Sequence, residues 1–144
     1  MIEQDTVKLL RECDAGARMG ISSIGQVKGS VHSDAMRRLL EKSEGEHKAL
    51  SEEINACLEV YHDEGKQPSA MAEAMSRIET GIKLSVSSSD ATIADILTDG
   101  CGMGIKSLSR YLNQYEAADE QSKDIARRLV RAEEDLCSGI RPFL

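Results

Sequence analysis

The chain has 144 residues with 18 Lys and Arg against 25 Asp and Glu, and its net charge of −7 argues against a protein that grips a nucleic-acid backbone. Three tyrosines, one phenylalanine, no tryptophan and two prolines are too few for a sheet protein, so an all-α fold with an aliphatic, alanine and methionine core is predicted. The length suits one domain, residues 1–144, able to bury a core without a disulfide or metal staple.

The opening MIEQDTVKLL carries no apolar block of signal-peptide length, and no window approaches the ~20 apolar residues that cross a bilayer. A soluble cytoplasmic protein with no membrane partner is expected. Cys13, Cys57, Cys101 and Cys137 are spaced 44, 44 and 36 apart, with no Cys-x-x-Cys pair, which speaks for free thiols and against a zinc finger.

In chain order, Asp5 or Thr6 can cap a first helix. Val7, Leu10, Ala17, Ile21, Ile24 and Val31 then fit a seven-residue repeat whose remaining inward positions are Asp14 and Lys28. Gly16, Gly20, Gly25 and Gly29 weaken this helix unless something packs closely against it. The pattern breaks over Ser30 to Ser33, and Ser33 or Asp34 caps a second helix reaching about His62. Its stripe is Met36, Leu40, Leu50, Ile54, Cys57 or Leu58, and Tyr61. Ser43 and His47 stand where aliphatic residues would continue that stripe, and Glu44-x-x-His47 puts a carboxylate and an imidazole on one helix face, as in carboxylate-bridged di-metal bundles.

So short a connection makes the two helices an antiparallel hairpin. Gly65 and Pro68 end it, and Ser69 to Val86 forms a shorter amphipathic helix that crosses from one end of the bundle to the other. Asp90 caps the next helix, with Ile93, Leu97, Gly100, Gly104, Leu108, Tyr111 and Tyr115 as its stripe. A last helix starts near Asp119, buries Ile125, Leu129, Ala132, Leu136 and Ile140, and stops at Arg141-Pro142.

Two antiparallel hairpins joined by a long crossover with a short extra helix make a ferritin-like four-helix bundle. Across nearly the whole chain the order resembles a bacterial family of ferritin-like four-helix proteins of unknown function. The similar parts are DTVKLLRECDAG, SDAMRRLLEKSEGEHKAL and IADILTDGCGMGIKSLSRYLNQY. Ferritin-like di-metal proteins place one acidic ligand on the first helix of each hairpin and Glu-x-x-His on the second. That resemblance implies Asp14, Glu44 and His47 as ligands in the first hairpin. A turn centred near His32 puts Asp14 and His47 within about one helical turn in depth. In the second hairpin the positions matching Asp14 and His47 are Gly100 and Glu133, and no histidine accompanies Glu133. The implied metal set is therefore Asp14, Glu44 and His47 with Glu133 as a further candidate, against about six ligands in the family pattern, with iron, manganese or zinc as its ion.

The favoured expectation is a bundle with a degenerate metal site that serves as a structural or interaction module. In that setting His47, Glu44 and Asp14 are buried or solvated polar groups, Asp14 bonding to His47 or pairing with Arg18. The alternative is a metal-binding oxidoreductase or metal-storage protein using Asp14, Glu44 and His47. A second alternative is a thiol redox sensor, since depth counting puts Cys13 and Cys101 near one level with Cys137 within two turns. The small-residue spacings Gly16-Gly20, Gly25-Gly29 and Gly100-Gly104 suggest a homodimer. No nucleophile elbow accompanies the histidines, so hydrolase chemistry is not supported.

Overall fold

The computed structural model describes residues 2–66 and 89–144. Among them four long helices, α1 (Ile2–Val27), α2 (Asp34–Val60), α3 (Asp90–Gln114) and α4 (Glu120–Ile140), pack into a four-helix bundle, with 3-10 turns at Lys28–Ser30 and Arg141–Phe143. No strand occurs among the described residues. The helix predicted over Ser69 to Val86 lies outside them.

Side chains at the helix starts tie each hairpin to the turn of the other. Thr6 Oγ1 accepts the Asp119 N–H at 2.9 Å and Asp5 accepts the Ala117 N–H at 3.1 Å, so α1 begins beside the α3–α4 turn. The Asp90 carboxylate accepts the N–H groups of His32 and Ser33 at 2.8 and 2.9 Å, so α3 begins beside the α1–α2 turn. Neighbouring helices around the bundle are therefore antiparallel, and the chain leaves α2 at one end and enters α3 at the other. These ties revise the predicted capping. The residue expected to cap the third helix, Asp90, serves the neighbouring turn, while Ser89 is the cap and accepts the Thr92 N–H. Likewise α1 begins at Ile2, ahead of Asp5 and Thr6. Ser33 and Asp119 cap α2 and α4 as their sequence positions suggest.

The aliphatic core divides into two clusters. One gathers Leu9, Leu10, Cys13, Ala17, Leu50, Ile54, Leu58, Leu108, Ile125 and Leu129. The other gathers Ile24, Val27, Met36, Leu40, Ile93, Leu97, Cys101, Leu136 and Ile140 toward the opposite end. The gap between them falls near Gly20 on α1, Ser43 and His47 on α2, Gly104 on α3 and Glu133 on α4. The bundle thus carries a polar waist between two aliphatic clusters.

The inward stripe predicted for α4 is buried, and so is that of α2 through Leu58, with Cys57 and Tyr61 only partly covered. That of α1 is displaced by one residue in half of its repeat. Thr6, Cys13 and Val27 are buried beside Leu10, Ala17 and Ile24, whereas Val7, Ile21 and Lys28 are only partly covered. On α3, Cys101 takes the buried place expected of Gly100, which is exposed.

Candidate functional site: a buried His47–Glu133 pair at the bundle waist

His47 projects from the middle of α2 and is fully buried. Its Nδ1 lies 2.7 Å from the carbonyl oxygen of Ser43, one turn back on the same helix, and its Nε2 lies 2.8 Å from Glu133 Oε1 on α4. A carbonyl only accepts, so Nδ1 carries a proton. The Nε2–Oε1 contact then needs one further proton between its two atoms. The pair is an imidazolium beside a carboxylate or an imidazole beside a carboxylic acid, and either form is neutral overall.

Burial is the largest single influence on His47 and opposes its charge. The hydrogen bond and charge of Glu133, aided by the Ser43 carbonyl and Glu46, outweigh it and raise the imidazole pKa above its usual value. Glycine makes room for this contact. A Cβ on Gly20 of α1 would stand 2.6 Å from His47 Cδ2 and 2.8 Å from Nε2, and one on Gly104 of α3 would stand 3.3 Å from Glu133 Cδ.

The waist follows an internal symmetry of the two hairpins. His47 lies 14 residues beyond its helix cap Ser33, and Glu133 lies 14 beyond its cap Asp119. Gly20 lies 14 residues beyond Thr6, and Gly104 lies 14 beyond Asp90, the two residues that hold the opposite turns. Equivalent positions in the hairpins therefore meet at the centre.

The other two implied ligands lie elsewhere. Asp14 is fully buried and accepts Arg18 Nε at 3.1 Å and the Lys66 N–H at 2.9 Å. It sits six residues, about 9 Å along α1, from the glycine that faces His47. Asp14 instead holds the end of the first hairpin, where Gly65 at φ +83 brings the backbone so close to its carboxylate that a Cβ would collide with Oδ2. Of the two partners proposed for Asp14 in the sequence, Arg18 is the one it has. Glu44, one turn from His47, is buried and pairs with Lys28 at 2.9 Å and Lys48 at 3.6 Å, and the hydrogen bond from Lys28 holds its carboxyl below the usual range against some burial.

The structure thus brings His47 and Glu133 together and leaves Asp14 and Glu44 in separate ion pairs. Among the described residues no three His, Cys, Asp or Glu side chains converge as a metal ligand set would. The donor chemistry agrees, because with Nδ1 bonded to Ser43 and Nε2 to Glu133 neither ring nitrogen is free. The sequence-level depth count missed this because it centred the first turn near His32, a residue or two early for the Gly20–His47 level.

Around Glu133 the next groups are thiols. Burial pushes the Cys101 thiol far above its ordinary pKa, followed by the charge of Glu133 and the neighbouring Cys137. Cys13, expected at the level of Cys101, belongs to the other core cluster, where burial and the charges of Glu12 and Asp14 push it up to about 12. At that end of the bundle a shallow cleft of about 250 Å³ is lined by Thr6, Leu10, Glu53, Cys57 and Tyr61 among others. No helix among the described residues is long and apolar enough to cross a membrane. The chain matches no known family model, curated protein or solved structure.

Proposed function

We propose that this chain is a ferritin-like bundle acting as a structural or interaction module, in which the positions that build a metal centre in such bundles have become a hydrogen-bonded core pair. The observation carrying this reading is the double hydrogen bonding of His47, to Ser43 O at 2.7 Å and Glu133 Oε1 at 2.8 Å. A ligand histidine needs one ring nitrogen with a free lone pair, and a core histidine needs both nitrogens satisfied. The antiparallel order of neighbouring helices and the return of the chain between α2 and α3 support the ferritin-like part. The proposed setting is the cytoplasm, as a homodimer, with neither nucleic acid nor membrane as partner.

The experiment is elemental analysis of natively purified protein together with sedimentation over a wide concentration range, on wild type and His47→Ala. The expected result is a concentration-dependent dimer with no stoichiometric metal in either protein. Near-stoichiometric iron, manganese or zinc in the wild type that disappears in His47→Ala would overturn the reading in favour of a metal-binding oxidoreductase or storage protein. A strict monomer at high concentration would remove the dimer.

A further inference from the structure

We propose that Cys101 and Cys137 are a paired thiol site that a hydroperoxide converts to a disulfide joining α3 to α4, one helical turn beyond the His47–Glu133 layer. The register of the two helices places them together. Gly104 faces the Glu133 side chain, with an added Cβ 3.3 Å from Cδ, which sets the level at which antiparallel α3 and α4 meet. Cys101 is three residues back from Gly104 and Cys137 four residues on from Glu133, the two spacings that return to the same helix face. Both steps lead toward the same end of the bundle, so the thiols lie opposite one another. Packing agrees: Cys101 belongs to the cluster of Leu97, Leu136 and Ile140, and Cys137 packs against that cluster. The influence of the Cys137 thiol on the ionisation of Cys101 is a separate sign of their closeness.

The pair is asymmetric in a way that orders the chemistry. Cys137 is partly exposed and Cys101 is 2% exposed, so the peroxide meets Cys137 first. The Cys137 sulfur takes one peroxide oxygen as the O–O bond breaks, giving a sulfenic acid and releasing an alcohol, or water when the oxidant is hydrogen peroxide. Cys101 sulfur then attacks Cys137 sulfur while its proton passes to the neighbouring Glu133 carboxylate. The S–S bond forms, the S–O bond breaks, and the departing hydroxide takes that proton and leaves as water. Two thiols are oxidised by two electrons and one peroxide is reduced. Burial and the raised pKa of Cys101 keep this thiol from competing with Cys137 for the peroxide, and the adjacent Glu133 carboxylate takes its proton when it attacks. Cys13 lies in the other cluster, and Cys57 packs against that same cluster, so neither competes.

The test exposes the full chain, freed of reductant, to hydrogen peroxide in modest excess. Remaining thiols are then blocked with an alkylating reagent, and unreduced peptides are mapped by mass. The expected wild-type product is one peptide joining Cys101 to Cys137, reversed by dithiothreitol, with Cys13 alkylated only after denaturation and Cys57 outside any disulfide. C137S should form no disulfide, and C101S should stop at a Cys137 sulfenic acid trapped by dimedone. Four reduced thiols in the peroxide-treated wild type, a link through Cys13 or Cys57, or disulfide formation in C137S would overturn the proposal. The wild-type map decides the question even where a variant folds poorly.

Discussion

Replacing Glu133 by glutamine tests the proton that the waist pair shares. In the wild type His47 has a raised pKa in the folded chain. Such a group contributes stability that is fully present below its unfolded pKa, about 6.5, and is lost as pH rises through the folded value. In Glu133→Gln the amide N–H donates to Nε2 of a neutral imidazole whose Nδ1 proton still bonds Ser43, so the 2.8 Å contact survives without a charge. Burial, the largest influence on His47, then acts without the Glu133 carboxylate and lowers the folded pKa. The sign reverses: the contribution is present above about pH 6.5 and lost on acidification. One proton of difference corresponds to a slope of up to about 1.4 kcal/mol per pH unit. The assay is urea unfolding at closely spaced pH values between about 5 and 9, with the mutant curve subtracted from the wild-type curve so that groups common to both cancel. Wild type should lose ground to Glu133→Gln as pH rises across that range. Parallel curves would refute the shared-proton argument, as would a mutant that loses ground on alkalinisation like the wild type.

Further expectations concern the residues around this layer. Glu133→Ala strands a fully buried imidazole and should cost about 3–5 kcal/mol, whereas the double variant His47→Leu, Glu133→Leu should recover most of that loss, since apolar replacement of a buried pair is often neutral; urea midpoints of the wild type and these two variants check it. Gly20→Ala places a methyl 2.6 Å from a ring that cannot swing aside and should cost about 1–3 kcal/mol, while Gly25→Ala, with nothing within 4 Å, should stabilise by about 0.5–1 kcal/mol; thermal unfolding separates the two directions. Thr6→Val keeps the buried shape but removes the acceptor of the Asp119 N–H, and should cost about 1–3 kcal/mol with faster amide exchange at Asp119. The backbone N–H groups of His32 and then Ser33 hold the Asp90 carboxyl below its ordinary pKa against some burial, so its contribution is present above about pH 4 and falls away on acidification; Asp90→Asn should flatten that part of the acid unfolding curve.

Much of the architecture was legible one helix at a time. The stripes of α2 and α4 and the caps Ser33 and Asp119 follow from local spacing and local capping chemistry, which a neighbouring helix does not alter. His47 and Ser43 as interruptions of an apolar stripe, and Asp14 as a polar residue turned inward, are likewise visible in the sequence, and all three are buried. Which groups they meet was not. The choice of Glu133 for His47, and of Arg18 and Lys66 for Asp14, depends on rotations and axial offsets between helices that leave no mark in the periodicity of either one. A displacement of six residues along α1 carried Asp14 to the hairpin end and put Gly20 opposite His47. Capping shows the same division: Ser89 and Asp90 are both good cap residues, and the turn of the other hairpin decided which of them capped α3. Local energetics thus determined the helices and their polar interruptions. The close packing of four helices determined the partners, because a buried polar group must be satisfied by whatever donor or acceptor the register brings within about 3 Å.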